Sequence, residues 1–144
     1  MLEDREDTTI IMSFTVTRRG MKDAQKTGVR HLLKTLPISK VVHGDCKGAD
    51  ADCHVIVQEL GVPVVLRPCN LQNQRAFCTE AELVHPPGPP LERNKSIVMD
   101  GELLVATPGE YQEELRSGTW ATVRYARKSE RRVVIVWPDG RIEE

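Results

Sequence analysis

Three groups of residues in this 144-residue chain have the types and spacing for chemistry. The first lies between Leu103 and Lys128. The apolar run Glu102-Leu103-Leu104-Val105-Ala106 breaks at Thr107-Pro108-Gly109, passes the acidic Glu110, Glu113 and Glu114, and restarts at Ser117-Gly118-Thr119-Trp120. A strand ending in a loop that feeds a helix opened by small residues sets backbone N–H groups, and the positive end of a helix dipole, at the rim of a sheet where a phosphate can sit. Ser117 is also a good N-cap, and a capped helix needs no ligand. The second group is Arg18 and Arg93, which can fork onto phosphate oxygens, with hydroxyls from Thr17, Ser117 and Thr119 beside them. Exposed loop arginine, however, needs no special explanation. The third group is carboxylates. Asp50, near the start of a helix, is the best placed acid for catalysis, although dipole and capping also account for a carboxylate there. Glu110, Glu113 and Glu114 follow a strand, but clustered loop carboxylates usually form a solvated face.

A metal centre is the fourth candidate, because His43, Cys46, Cys53 and His54 carry zinc's preferred donors. Their spacing argues against it. Cys53 and His54 are adjacent on an expected helix and point about 100° apart, so no metal is expected and Cys53 reads as a small core residue.

These groups need elements to hold them. Thr8 to Thr15 is β-branched and apolar enough for a first strand, and Val29, Leu32, Leu33 and Leu36 fall on one face of a helix over Lys22 to Leu36 that Pro37 closes. Val41-Val42-His43 reads as a second strand running into Gly44-Asp45-Cys46-Lys47-Gly48-Ala49-Asp50. A helix from Ala49 to Leu60 follows, ended by Gly61, with a third strand over Val62 to Leu66. Residues 67–92 read as a long loop, although Gln74 to Val84 has room for a helical turn or a short extra strand before the Pro-rich 85–90. Then come a short helix over Arg93 to Met99, a strand over Glu102 to Ala106, a helix over Gly118 to Lys128 and a strand over Arg132 to Trp137. Residues 1–7 and 141–144 are expected to fray.

Strands that alternate with helices and are apolar throughout predict an α/β fold, a mainly parallel, doubly wound sheet of about five strands with helices on both faces, in a single domain over 1–144. Such sheets bind ligands at the carboxyl ends of their strands, at the point where strand order reverses. Here those ends are Thr15 to Arg19, His43 to Asp50 and Thr107 to Thr119.

Composition narrows the partners. A net charge of -1 gives no global basic field for nucleic acid or an anionic membrane, and 4% aromatic residues leave little for stacking single-stranded bases. The basic run Arg124, Arg127, Lys128, Arg131 and Arg132 sits at a helix C-terminus, where cations complement the dipole. The four cysteines form no CxxC pair and no long apolar run precedes them, so reduced thiols in a cytoplasmic protein with no membrane partner are expected.

Four segments in order resemble one superfamily. They are Phe14-Thr15-Val16-Thr17-Arg18-Arg19-Gly20-Met21, His43-Gly44-Asp45-Cys46-Lys47-Gly48-Ala49-Asp50, Arg93-Asn94-Lys95-Ser96-Ile97-Val98, and Ser117-Gly118-Thr119 through Lys128. Together they resemble the Rossmann-like SLOG/LOG-like group that includes the DNA-processing protein A family, the lonely-guy phosphoribohydrolases and molybdenum-cofactor carriers, and most of all its short bacterial and phage members. The resemblance implies a nucleotide held between the first loop (Thr15, Thr17, Arg18), the glycine loop after the second strand (Gly44, Gly48), Arg93 with Asn94, and the helix start at Ser117, Gly118 and Thr119. Two departures stand out. Ser13 and Val16 replace glycines usual near the first loop, where glycine lets backbone approach a phosphate. Thr122 stands where the phosphoribohydrolase branch carries its glutamate, and threonine cannot transfer protons near neutral pH.

The expectation is therefore a sensor or carrier for a nucleotide or nucleotide-derived small molecule, with no further cofactor, that self-associates as a homo-oligomer. An N-glycosidic hydrolase of nucleoside monophosphates using Asp50 is the enzymatic alternative. Single-stranded DNA binding is a third, disfavoured by charge and aromatic content.

Overall fold

The computed structural model describes residues 9–17 and 19–144, and for Val16 the backbone only. One seven-stranded sheet runs through them in the order β4-β3-β2-β1-β5-β6-β7. The strands are β1 (Ile10–Val16), β2 (Ile38–His43), β3 (Val64–Leu66), β4 (Leu83–Val84), β5 (Leu103–Thr107), β6 (Arg132–Val136) and β7 (Ile142–Glu143), and the helices are α1 (Asp23–Thr35), α2 (Ala49–Glu59), α3 (Pro90–Asp100) and α4 (Gly118–Lys128). Every pairing is parallel except β6 with β7. This is the expected α/β, doubly wound sheet.

β1 is the pivot. The chain winds outward from β1 through β2 and β3 to β4, then returns to lay β5 on the other side of β1. That return makes β1, between β2 and β5, the place where strand order reverses.

Side-chain alternation along the strands sorts the two faces. Met12 and Phe14 join Val41, Val64, Leu103, Val105 and Val134 against Val29 and Leu33 of α1 and Cys53, Ile56 and Val57 of α2. On the opposite face Leu104, Ala106, Val133 and Ile135 pack against Trp120, Val123 and Ala126 of α4 and Val98 of α3. Val42 and Val65 meet Ile97 of α3 there as well. Both faces are covered, so strands such as β5 are buried at every position and read as continuous apolar runs.

The sheet has seven strands rather than five, and the reason is local. β4 and β7 are two residues each with exposed side chains, too short and too polar in surroundings to show a periodicity. The turn at Pro138-Asp139-Gly140, with Gly140 at φ 88°, returns the chain so that Val136 pairs with Ile142 and Ile135 with Glu143. Residues 141–144 are thus held, with Arg132 ion-paired to Glu144 and the Trp137 indole N–H donating to Glu143, rather than frayed. The expected fraying of 1–7 falls outside the described residues.

Nor is 67–92 a plain loop. It holds a 3₁₀ turn at Gln72–Gln74, β4, and the first residues of α3, which begins at Pro90 rather than Arg93 because proline is tolerated in a first helical turn where its missing N–H has no partner to lose. Bridges tie it down: Cys46 pairs with Arg75 and Cys69 with Gly88. The buried Asp45 carboxylate accepts from Arg75 Nε at 3.0 Å and from the Cys78 N–H at 2.8 Å.

Ser13 also differs from its expected place. It lies inside β1, fully buried, and its hydroxyl donates to the Ile97 carbonyl of α3, so it anchors a helix to the sheet and does not sit at a phosphate loop. The expectation about the Val16 side chain lies outside the described atoms.

Candidate functional site

The carboxyl ends of β1, β2 and β5 open into a cavity of about 470 Å³. Thr15 and Thr17 come from the end of β1, Gly44 and Asp50 from the turn between β2 and α2, Arg93 and Asn94 from the second turn of α3, and Ser117, Gly118 and Thr119 from the start of α4. Residues from four separated segments of sequence thus line one space. Gly48 does not line it. Gly48 precedes α2 with φ 92°, a left-handed conformation that favours glycine, and its part is to turn the chain into the helix. Arg18 lies outside the described residues.

The α4 wall is built as the sequence suggests. Ser117 is extended at φ -82° and ψ 132°, and its hydroxyl accepts from the Trp120 N–H at 3.3 Å. The first-turn N–H groups of a helix lack intrahelical acceptors, and here that turn borders the cavity.

Arg93 is more committed than loop arginine would be. Its Nη1 donates to the Gly44 carbonyl at 2.7 Å and to the Arg67 carbonyl at 3.2 Å, its Nε to Asn94 Oδ1 at 2.9 Å, and its Nη2 lies 3.5 Å from Cys46 Sγ. One cation therefore braces the ends of β2 and β3 from α3 while lining the cavity. Gly44 makes this approach feasible, since a Cβ there would stand 2.6 Å from Arg93 Nη1 and 3.0 Å from Asp50 Oδ2.

Asp50 is the one carboxylate that lines the cavity among the described residues. It is 4% exposed. Its Oδ2 accepts from the Cys46 N–H at 3.0 Å, while Oδ1 is buried with no partner among the described residues. Burial raises its pKa to about 6, against the smaller opposing pull of the Cys46 N–H and the Arg93 charge. Asp50 therefore stands near the middle of the range in which a group both gives and takes protons at neutral pH. The Cys46 thiol beside it is pushed up to about 11, by burial first and then by Asp50, so it stays protonated and is a poor nucleophile.

The other acids are elsewhere. Glu113 pairs with Arg124 at 2.8 Å, and Glu110 and Glu114 border a shallower groove that meets the cavity only at Ser117. Thr122 donates back to the Gly118 carbonyl at 2.9 Å within α4 and does not line the cavity. Arg124, from the basic run, also donates to the carbonyls of Glu114 and Leu115, fastening the loop that leads to Ser117.

His43, His54 and Cys78 bring donor atoms within 4.8 Å of one another. Their hydrogen bonds are already assigned. The Asp45 N–H donates to His43 Nδ1 at 2.9 Å, which makes Nδ1 an acceptor and puts the proton on Nε2. Nε2 then donates to His54 Nδ1 at 3.0 Å, and His54 Nε2 donates to the Thr79 carbonyl at 2.7 Å. A metal on His43 Nε2 would require an imidazolate, so this neutral relay does not suit one. Burial, then His54, lowers the His43 pKa to about 3. Cys53, fully buried against α1 and the sheet, is core.

Sequence reasoning missed the apolar part of the wall, formed by Phe14, Leu91 and Ile97, together with Cys46 and Gln74. Leu91 belongs to the first turn of α3, and the proline run before it concealed that turn. No helix among the described residues is long and apolar enough to cross a membrane. Comparison of the chain with protein-family models, with curated proteins and with solved structures finds no match.

Proposed function

We propose that the protein binds a nucleotide or nucleotide-derived small molecule in the cavity at the carboxyl ends of β1, β2 and β5, as a sensor or carrier. The observation that carries this reading is the shared cavity itself, in which the first turn of α4 and the Arg93 guanidinium face one space at the strand-order reversal. A helix start favours a phosphate, a fixed guanidinium favours its oxygens, and the volume is within the range of small-molecule sites. The resemblance to SLOG/LOG-like proteins supports the same ligand class, together with self-association, which light scattering would test.

A thermal-shift screen against nucleoside monophosphates, cyclic nucleotides, dinucleotides and a short single-stranded oligonucleotide tests the reading. A ligand at about a hundred times its Kd stabilises the fold by about 2.7 kcal/mol, a readily measured rise in midpoint. Silence across the panel refutes nucleotide binding, and a shift with the oligonucleotide alone replaces it with single-strand binding.

A second reading, turnover, is favoured by one observation: a buried acid with a pKa near 6 lines the cavity. In that reading Asp50 takes the proton-transfer role that Thr122 cannot fill in cleavage of an N-glycosidic bond. Release of free base from nucleoside monophosphates, abolished in Asp50→Asn, is its required result.

A further inference from the structure

Within the nucleotide-binding reading, on which this inference rests, we infer that the cavity takes up its anionic ligand together with a proton, and that Asp50 carries the proton without touching the ligand. Among the described residues that line the cavity, only Arg93, Asp50 and Cys46 ionise. The Cys46 thiol, pushed up to about 11, stays neutral, so the charge that an entering anion meets is that of one cation and one carboxylate. The cation is fixed in place. Its partners, the carbonyls of Gly44 and Arg67, Asn94 Oδ1 and the Cys46 thiol, are all uncharged, so its charge is left for a ligand. Whether that charge is offset depends on the proton of Asp50.

Asp50 is built as a poorly held anion beside that cation. An ideal Cβ on Gly44 would lie 2.6 Å from Arg93 Nη1 and 3.0 Å from Asp50 Oδ2, so the two atoms stand no more than about 6 Å apart and their charges are coupled. Oδ2 accepts from the Cys46 N–H, but Oδ1 is enclosed, out of the cavity's reach, with no donor among the described residues. A carboxylate with one bare, buried oxygen is under-stabilised, and a proton relieves it. Burial accordingly raises the group to about 6. No other described group packed around it titrates near that value. The thiols of Cys53 on α2 and Cys78 on the opposite segment are also pushed up, Asp52 is turned to the Met21 N–H, Asp45 is paired with Arg75, and His43 is held neutral. The end of β1 and the start of α4 bring only uncharged hydroxyls to the cavity. A phosphate beside Arg93 adds a negative charge to this wall and makes ionised Asp50 less favourable still. By linkage, binding raises the pKa of Asp50 above that of the free protein, and protonation tightens binding.

The test reads the proton directly. Adenosine and guanosine 5′-monophosphates and their 3′,5′-cyclic forms are titrated calorimetrically into the protein at about pH 6.5, in buffers of different ionisation enthalpy, which gives the protons taken up per ligand bound. The cyclic forms keep one charge throughout, so the wild-type result stands without a variant. The 5′-monophosphates titrate near pH 6 themselves, so for them the uptake by Asp50→Asn, neutral at every pH, is subtracted. Where binding raises Asp50 from about 6 to about 7, the wild type takes up about half a proton more than Asp50→Asn. Its affinity for a cyclic nucleotide then falls by about tenfold from about pH 5 to about pH 8, against about twofold or less in the variant. Adenosine, which has no charge, shows no such slope in either protein. A cyclic nucleotide bound with no proton uptake beyond that of Asp50→Asn, or with the wild-type slope kept in the variant, overturns the inference while leaving nucleotide binding intact. An equal slope for adenosine overturns it too, because the proton then does not follow the anion. Binding of none of the four nucleotides across this range removes the nucleotide reading and this inference with it.

Discussion

The Nη1 of Arg93 donates to the Gly44 carbonyl at 2.7 Å, and a Cβ on Gly44 would lie 2.6 Å from that same nitrogen. Helix α3 and the end of β2 are therefore fitted to each other through one residue with no side chain and one with the longest cationic fork.

This predicts that Arg93→Ala lowers stability as well as ligand affinity, because it leaves the carbonyls of Gly44 and Arg67 short of a charged donor. A cost of about 2 to 4 kcal/mol in urea unfolding is expected, and Arg93→Lys recovers little of it, since a point charge cannot make the same fork of contacts. A denaturation midpoint unchanged in Arg93→Ala would show that the brace carries no weight. Gly44→Ala, with Arg93 intact, is expected to push the guanidinium off its carbonyls and so to cost no more than Arg93→Ala does.

The pH dependence of stability follows from two buried groups with opposite signs. Asp50, normally near 3.8 but raised to about 6 by burial, stays protonated in the fold while the unfolded chain ionises. Its contribution is fully present below the unfolded value and is lost as pH rises through the folded one, about 3 kcal/mol in total. Asp50→Asn abolishes that loss, so its advantage over the wild type grows from about pH 4 to about pH 6 and is level above about pH 7. His43 runs the other way. Burial holds it neutral, lowered from 6.5 to about 3, so its contribution is present above 6.5 and lost as pH falls toward 3. Without the opposing Asp50 term, Asp50→Asn therefore loses stability more steeply in acid than the wild type. Parallel denaturation curves of the two proteins at both ends of that range would refute the assignment of Asp50.

Ser117 caps α4 and also borders the cavity. Ser117→Ala is expected to cost about 1 kcal/mol of stability, whereas Ser117→Gly costs only a few tenths. If the phosphate rests on this turn, affinity for a nucleoside monophosphate falls in Ser117→Ala while a nucleoside without phosphate binds as before. Equal losses for both ligands would place the phosphate elsewhere.

Gly101, between α3 and β5, has the Ser13 hydroxyl and the Ile11 carbonyl where a side chain would go, the latter 2.8 Å from an ideal Cβ. Gly101→Ala is expected to destabilise by more than about 2 kcal/mol. Ser13→Ala removes the hydroxyl and leaves the Ile11 carbonyl and the Ser13 N–H in place, so the double variant should be more stable than the sum of the single costs implies. Strict additivity in a double-mutant cycle would mean that α3 moves away from β1 instead.

The sequence by itself determined the elements whose signals are local. Continuous apolar runs marked β1, β2, β3, β5 and β6, because strands covered on both faces are buried at every position. The apolar stripe of α1, Gly61 after α2 and the Ser117 cap of α4 marked those helices, because the 3.6-residue period and the cap chemistry need no knowledge of the rest of the fold. The same local chemistry brought Thr17, Asp50, Arg93, Ser117, Gly118 and Thr119 forward, the family resemblance added Thr15, Gly44 and Asn94, and all of these border one cavity.

Tertiary structure alone decided the rest. β4 and β7 exist because a neighbouring strand offers them hydrogen bonds, and two residues carry no periodicity of their own. Ser13 faces α3, Gly48 turns the chain outside the cavity, and Arg93 spends its Nη1 on two backbone carbonyls. A residue type states which bonds a side chain can make. Which partner reaches it first depends on segments far apart in sequence, such as Gly44 and Arg93, and only the folded chain brings those together.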